Sequence, residues 1–234
     1  MHEESMDLAG LPTRVISPSD EAPLLVVLLH GYSMRAEDLA PFARSLGVRA
    51  RFLVPEGPCP AVPRGRAWWA IDAEARALAR AAGPRDLAAE HPAGASAARA
   101  GLSDFLRAAQ ARWGALPLAL AGFSQGGMLA CDTALRGDNS LAGLALLSSS
   151  RISIGQWLPL AERLRGLPVL VSHGRADDDL SFAAGEALRD FVESAGAAVT
   201  WVPHDGGHEL PPVVWRRLRA FLAALVAATA TRRD

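Results

Sequence analysis

Six apolar runs bounded by turn residues divide the chain, at 23–30, 51–55, 117–122, 141–148, 168–173 and 197–203. Most are continuous and lack the alternation of a half-exposed strand, which is the pattern of strands buried on both faces. Between them lie stretches with apolar positions three and four apart, at 37–46, 96–113, 125–136, 157–164, 181–195 and 213–228. Strand and helix patterns alternate along nearly the whole chain. That order predicts an α/β fold with a mostly parallel central sheet and helices on both faces.

With 234 residues, half of them apolar, the chain reads as a single domain over 1–234, with flexible tails at 1–10 and 229–234. The stretch 57–94 fits the alternation least well. It is rich in Pro, Gly and Ala, carries Trp68 and Trp69, and is read as an excursion over the active-site side of the sheet, with one helix near 72–81. Sites in open α/β sheets lie outside the carboxyl ends of the strands, where such an excursion can wall a pocket.

Charge narrows the functions. The net charge of −1 gives no electrostatic case for nucleic acid or an anionic membrane surface. All 24 basic residues are arginine, so Schiff-base chemistry, a Walker A lysine and a Ser-Lys hydrolase are excluded. Cys59 and Cys131 lack the CxxC spacing of a metal or redox pair. The acidic N-terminus has no apolar run, and the apolar stretch 220–231 is too short to cross a bilayer. The chain reads as soluble and cytoplasmic, without stable membrane insertion, metal or cofactor, and a homodimer is left open.

The candidate chemistry sits at the ends of the apolar runs. Gly122-Phe-Ser-Gln-Gly126 joins a strand pattern to a helix pattern, the context of a nucleophile elbow in which a sharp turn lifts the serine above the strand tips. A serine hydroxyl needs a base to take its proton and a third group to orient that base. Downstream, 169–180 ends a strand at His173-Gly174 and continues into Asp177, Asp178 and Asp179. Chemistry alone does not choose among the three, and any of them could cap the helix that follows. The stretch 202–210 offers His204 and His208. Gly206-Gly207 between them argues against a helical metal pair, so His204 reads as a surface turn residue and His208 as a loop base. The first strong strand ends at His30-Gly31-Tyr32, and an oxyanion needs two backbone N–H groups, here those of Tyr32 and Gln125. His30 itself reads as a buried residue tying that loop together.

Leu-His-Gly at 29–31, Gly-Phe-Ser-Gln-Gly at 122–126, Ser-His-Gly-x-x-Asp-x-x-Leu at 172–180 and Gly-Gly-His at 206–208 together resemble the carboxylesterase, lysophospholipase and acyl-protein thioesterase family of α/β-hydrolases. The resemblance runs from about residue 24 to 225, and Arg66-Ala-Trp-Trp looks like the family's tryptophan-containing segment. It implies the α/β-hydrolase fold, selects Asp177 as the acid four residues after His173, and selects His208 as the base. It also implies oxyanion donors at Tyr32 and Gln125. Where the family often carries another glycine soon after His-Gly, this chain has Tyr32-Ser33-Met34, which implies a differently shaped pocket there.

The expected activity is hydrolysis of carboxylic esters of small to medium acyl chains through an acyl-enzyme, with Ser124 as nucleophile. Met34, Trp68, Trp69 and Leu210 are candidates for the substrate pocket, and the partner is a small-molecule ester or acyl substrate. A lysophospholipase or acyl-protein thioesterase with a long acyl groove is the alternative within the enzyme class. A hydrolase fold that binds without turnover, and a metal site at His204, Asp205 and His208, are more distant ones.

Overall fold

The computed structural model describes residues 1–18 and 21–230. The chain enters through a hairpin, β1 (His2–Leu8) and β2 (Leu11–Ser17), and then forms β3 (Leu25–Leu29), α1 (Ala36–Ser45) and β4 (Arg51–Pro55). The excursion contains β5 (Cys59–Pro60), β6 (Arg66–Ala67) and α2 (Ala73–Ala81). After α3 (Ala95–Trp113) come β7 (Leu118–Phe123), α4 (Gln125–Arg136), β8 (Leu141–Leu147) and the short α5 (Ile154–Trp157). The chain ends in β9 (Pro168–Gly174), α6 (Phe182–Ser194), β10 (Ala198–His204) and α7 (Pro212–Ala230).

Eight strands form one sheet in the order β1-β2-β4-β3-β7-β8-β9-β10. Within it β4, β3, β7, β8, β9 and β10 are parallel, β2 joins β4 antiparallel, and β5 and β6 form a separate antiparallel pair. α3, α4 and α6 pack with Leu25, Val27, Leu120, Leu146 and Val171 on one face. α1 and α7 cover the alternate residues Val26, Ala119, Ala145 and Leu170 on the other. Fully buried strands can be apolar throughout because each face has its own helices to meet. From β3 the chain goes to β4 on one side, while its other neighbour is β7. The carboxyl ends of β3 and β7 therefore form a topological switch point, with Leu29 paired to Gly122.

Residues 1–10, expected as a tail, are instead mostly strand. β1 pairs along its length with β2 through a tight turn at Ala9 and Gly10, both at positive φ (53° and 79°). Such turns favour Asn-Gly or Asp-Gly, so Ala-Gly gives a weak sequence signal. At the other end, α7 includes residues 229 and 230, and 231–234 lie outside the described residues. The helix expected at 157–164 is a 3₁₀ segment over Leu158–Leu164, with Pro159 in its first turn. The helix expected near 72–81 is α2, whose N-terminal amides of Glu74 and Ala75 donate to the Asp72 carboxylate at 3.0 Å.

α4 is buried over nearly all its length, and its one acidic residue holds three neighbours. Asp132 accepts from Arg99 Nη1 of α3 at 2.6 Å, Arg136 Nε at 2.8 Å and Trp157 Nε1 at 2.8 Å. Removing one partner from such a network leaves the rest desolvated without compensation. Asp132→Ala should lower stability by about 2–4 kcal/mol in urea unfolding. A loss under about 0.5 kcal/mol would show that the arginines rehydrate freely.

Candidate active site

The nucleophile candidate stands on strained backbone. Ser124, between β7 and α4, has φ 53° and ψ −118°, outside the regions open to ordinary L-residues. The turn closes because its flanks lack side chains. A Cβ on Gly122 would lie 2.2 Å from the Gly126 backbone, and one on Gly126 would lie 2.4 Å from the Leu29 carbonyl oxygen. Neighbouring strands hold the turn: the Ser124 N–H donates to the Leu147 carbonyl at 2.8 Å, and Ser149 Oγ donates to the Ser124 carbonyl at 3.1 Å.

Three side chains from separate loops converge at that point. His208 Nε2 lies 2.9 Å from Ser124 Oγ, and His208 Nδ1 lies 2.7 Å from Asp177 Oδ2. A carboxylate only accepts, so Nδ1 carries the proton and the Nε2 lone pair faces the serine hydroxyl. The Phe123 ring, 4.9 Å from the imidazole, supports its side. Asp177 is buried, and its Oδ1 accepts the N–H groups of Asp179 and Leu180, each at 2.9 Å. Burial acts to raise its pKa, but the hydrogen bond and charge interaction with His208 and the two amides outweigh burial and hold the carboxyl below the usual range.

The loop after β3 approaches from the other side of Ser124. Among the described residues, neither the Tyr32 nor the Gln125 backbone N–H has an acceptor. The loop is fixed by Ser33 N–H to the Arg66 carbonyl at 3.0 Å and Arg66 N–H to the Met34 carbonyl at 2.9 Å. His30, fully buried, ties it from beneath. Its Nδ1 donates to the Gly31 carbonyl at 2.7 Å, and its Nε2 accepts the Gly57 N–H at 2.9 Å.

Two cavities meet at Ser124. An inner one of about 50 Å³ is bordered by Trp69 and Met128, and an outer one of about 450 Å³ by Met34 and His208. Of the four pocket candidates, Trp69 and Met34 thus border the cleft. Trp68 is buried below it, its indole N–H donating to the His30 carbonyl at 2.8 Å. Leu210 is partly buried against the α1–α7 core. Neither is among the residues around the two cavities.

His204, expected on the surface, is buried at the end of β10, with both ring nitrogens unpartnered among the described residues. It packs under the 206–207 turn, where a Cβ on Gly174 would meet its ring at 2.9 Å. The described residues contain no His, Cys, Asp and Glu grouping able to hold a metal.

Sequence reasoning missed a set of clamps. The Gln125 amide accepts the Trp68 N–H at 2.9 Å and donates to the Trp69 carbonyl at 3.0 Å, pinning the excursion to the elbow. Asp179, also buried, binds Arg76 and Arg85, and Asp178 binds Arg80 at 2.8 Å. The available signal was an aspartate run and an arginine-bearing excursion, but nothing in the sequence paired the two.

Burial lowers the pKa of His30, His173 and His204, so each is held neutral in the folded state. An unfolded histidine titrates near 6.5 and binds protons that the folded one refuses. Stability from these three is therefore present above about pH 6.5 and lost as pH falls below it. Urea midpoints measured from pH 7.5 to 5 should drop steadily below about pH 6.5. A flat profile would mean that the imidazoles are charged in the fold.

Comparison with known proteins follows the same lines. The sequence profile described as Phospholipase/Carboxylesterase matches residues 12–226. A probable carboxylesterase of Oryza sativa subsp. japonica is 36% identical over 98 residues, covering 38% of this chain and 34% of the relative. Acyl-protein thioesterase 1 of Neurospora crassa is 30% identical over 95 residues, covering 39% of each. The matched stretches thus span only about a third to two fifths of those relatives' lengths. The crystal structure of esterase PE8 superposes with a TM-score of 0.77 at 28% identity, over 92% of this chain and 99% of that one. A carboxylesterase from Mesorhizobium loti shares the fold, with a TM-score of 0.75 at 23% identity over 94% and 98% of the two chains.

Proposed function

The chain belongs to the phospholipase/carboxylesterase family, and from that premise we propose that it hydrolyses carboxylic esters through an acyl-enzyme on Ser124. The observation that carries this reading is the unbroken chain from Asp177 Oδ2 through both nitrogens of His208 to Ser124 Oγ, at 2.7 and 2.9 Å.

In this mechanism Ser124 Oγ attacks the ester carbonyl carbon while its proton passes to His208 Nε2. The carbonyl π electrons move onto oxygen, and the oxyanion accepts the N–H groups of Tyr32 and Gln125. Asp177 stays ionised and stabilises the imidazolium through Nδ1, which its lowered pKa favours. The tetrahedral intermediate collapses, the bond to the alcohol oxygen breaks, and His208 Nε2 returns its proton to that oxygen. A water then repeats the attack on the acyl-enzyme with His208 as base. It releases the acid and restores the serine hydroxyl.

The three neighbouring aspartates test the reading. Asp177→Asn should lower kcat by about 10⁴-fold through the wrong imidazole tautomer, and Ser124→Ala by a similar or larger factor. Asp178→Asn, at a side chain 74% exposed, should cost under about 3-fold. Steady-state hydrolysis of 4-nitrophenyl acetate checks all three. Ser124→Ala retaining wild-type turnover would refute the mechanism.

A further inference from the structure

The two cavities that meet at Ser124 differ in size and chemistry, and the proton path separates the two halves of an ester between them. His208 borders the outer cavity and is not among the residues around the inner one, whereas Gln125 borders the inner one. A general acid must lie within hydrogen-bond reach of the oxygen it protonates. The leaving alcohol therefore lies in the outer cavity. The acyl chain, on a different substituent of the tetrahedral carbon, turns inward beside Gln125.

Resting on the serine-hydrolase reading of this site, we propose that the substrate is an ester of a short acid, of two to about four carbons, with a bulky, uncharged, hydroxyl-rich alcohol of the carbohydrate type.

The acid half is limited by space. The inner cavity of about 50 Å³ is walled by Trp69, Ile71, Leu87, Met128, Ile152 and Leu180. That volume holds roughly three or four carbon-sized groups. Its walls do not yield easily, because the excursion is fastened on two sides. The Gln125 amide grips the backbone at Trp68 and Trp69. Opposite, Asp179, with its side chain 4% exposed, binds Arg76 and Arg85, both of which border the inner cavity. The backbone adds Arg85 N–H to the Asp179 carbonyl at 3.0 Å and Ser181 N–H to the Arg85 carbonyl at 2.9 Å. A longer acyl chain would have to part ion pairs whose carboxylate, Asp179, is buried, while the Arg76 and Arg85 side chains are about one-fifth exposed.

The alcohol half is set by polarity. The outer cavity, about nine times larger, presents Ser33, Arg76, Arg80, Asp178, Asp179 and Glu209. Its arginines are already matched, Arg80 to Asp178 and Arg76 to Asp179, and Glu209 adds a further carboxylate. Counting Arg85, which Asp179 also binds, three cations meet three anions, so there is no excess positive charge for a phosphate headgroup. Apolar surface for an alkyl alcohol is limited to Met34, Phe123 and the ring of Tyr32 among the residues around this cavity, most of which are charged or hydroxyl-bearing. Donors and acceptors spread over a wide, polar cleft suit a ring bearing several hydroxyls.

A crossed substrate panel on the purified protein tests both halves. Among 4-nitrophenyl esters, kcat/KM for octanoate should fall at least about 10-fold below that for butyrate. Among acetates, an acetylated xylose or glucose should exceed 1-octyl acetate by about 10-fold. Leu87→Ala and Ile71→Ala, which widen the inner cavity, should each raise the octanoate-to-butyrate ratio by about 10-fold. A profile flat or rising to octanoate, a preference for octyl acetate, or a ratio unmoved in both variants would overturn the assignment. Efficient cleavage of palmitoyl lysophosphatidylcholine or of a palmitoylated peptide would do the same and give the site a long acyl groove. Failure is distinguishable from failure of the hydrolase reading itself. In the latter case no ester of the panel turns over and a fluorophosphonate probe leaves Ser124 unlabelled.

Discussion

At Ser124 the backbone holds φ 53° and ψ −118°, a conformation that costs an L-residue about 1–3 kcal/mol, and much of the surrounding packing serves to keep it there. The amide of Ser124 is tied to β8 and its carbonyl to Ser149. The same carbonyl accepts the Gly127 N–H at 2.9 Å, so α4 begins immediately after the turn. Starting the helix there leaves the Gln125 N–H without an acceptor among the described residues, at the positive end and one residue after Ser124. Relaxing the turn would drop the hydroxyl toward the sheet and withdraw the amide together. Strain at this one residue therefore sets the position of both the candidate nucleophile and half of the candidate oxyanion hole.

The loop from Asp177 to Leu180 carries the second constraint. Its three successive carboxylates go to three different partners: Asp177 to His208, Asp178 to Arg80, and Asp179 to Arg76 and Arg85. The amides of Asp179 and Leu180 turn back onto Asp177 Oδ1, so the segment that anchors the excursion also orients the residue behind His208. Like charges in such a run repel in water. Here Asp178 and Asp179 are neutralised by arginines of the excursion, while Asp177 is held by the His208 Nδ1–H and two backbone amides.

Much of this was legible because periodicity reports burial. The continuous apolar runs at β3, β7 and β9 mark strands covered on both faces, and each ends at a glycine-containing loop that bears a site residue. The helix expected near 72–81 is also present, although none of its residues is buried and its Asp72 cap was no part of that expectation. What escaped reading depends on contacts distant in sequence. β1 is mostly exposed, and its turn residues are Ala-Gly, so neither pattern nor composition marks it as a strand. His204 sits in a polar, glycine-rich stretch, and its burial comes from the packing of β10 against the loop after β9. Trp68 and Trp69 are adjacent and both buried in the core, yet only Trp69 borders the cleft. The carbonyl of His30, 38 residues away, decides between them.

Gln125 shows how closely the site and its wall are coupled. Its backbone N–H, the candidate oxyanion donor, has no acceptor among the described residues, while its side-chain amide uses both of its ends on the excursion, accepting from Trp68 and donating to the carbonyl of Trp69. Glutamate could accept but not donate, and leucine could do neither, so glutamine satisfies both buried backbone groups without adding charge. The residue that bounds the proposed acyl side by holding Trp69 is thus the same one that carries the candidate oxyanion donor. Any movement of the excursion that enlarges the inner cavity pulls on the first residue of α4. In this arrangement the width of the proposed acyl pocket and the geometry of the candidate oxyanion hole are one mechanical variable, and a rigid, narrow pocket is the condition under which both are well defined.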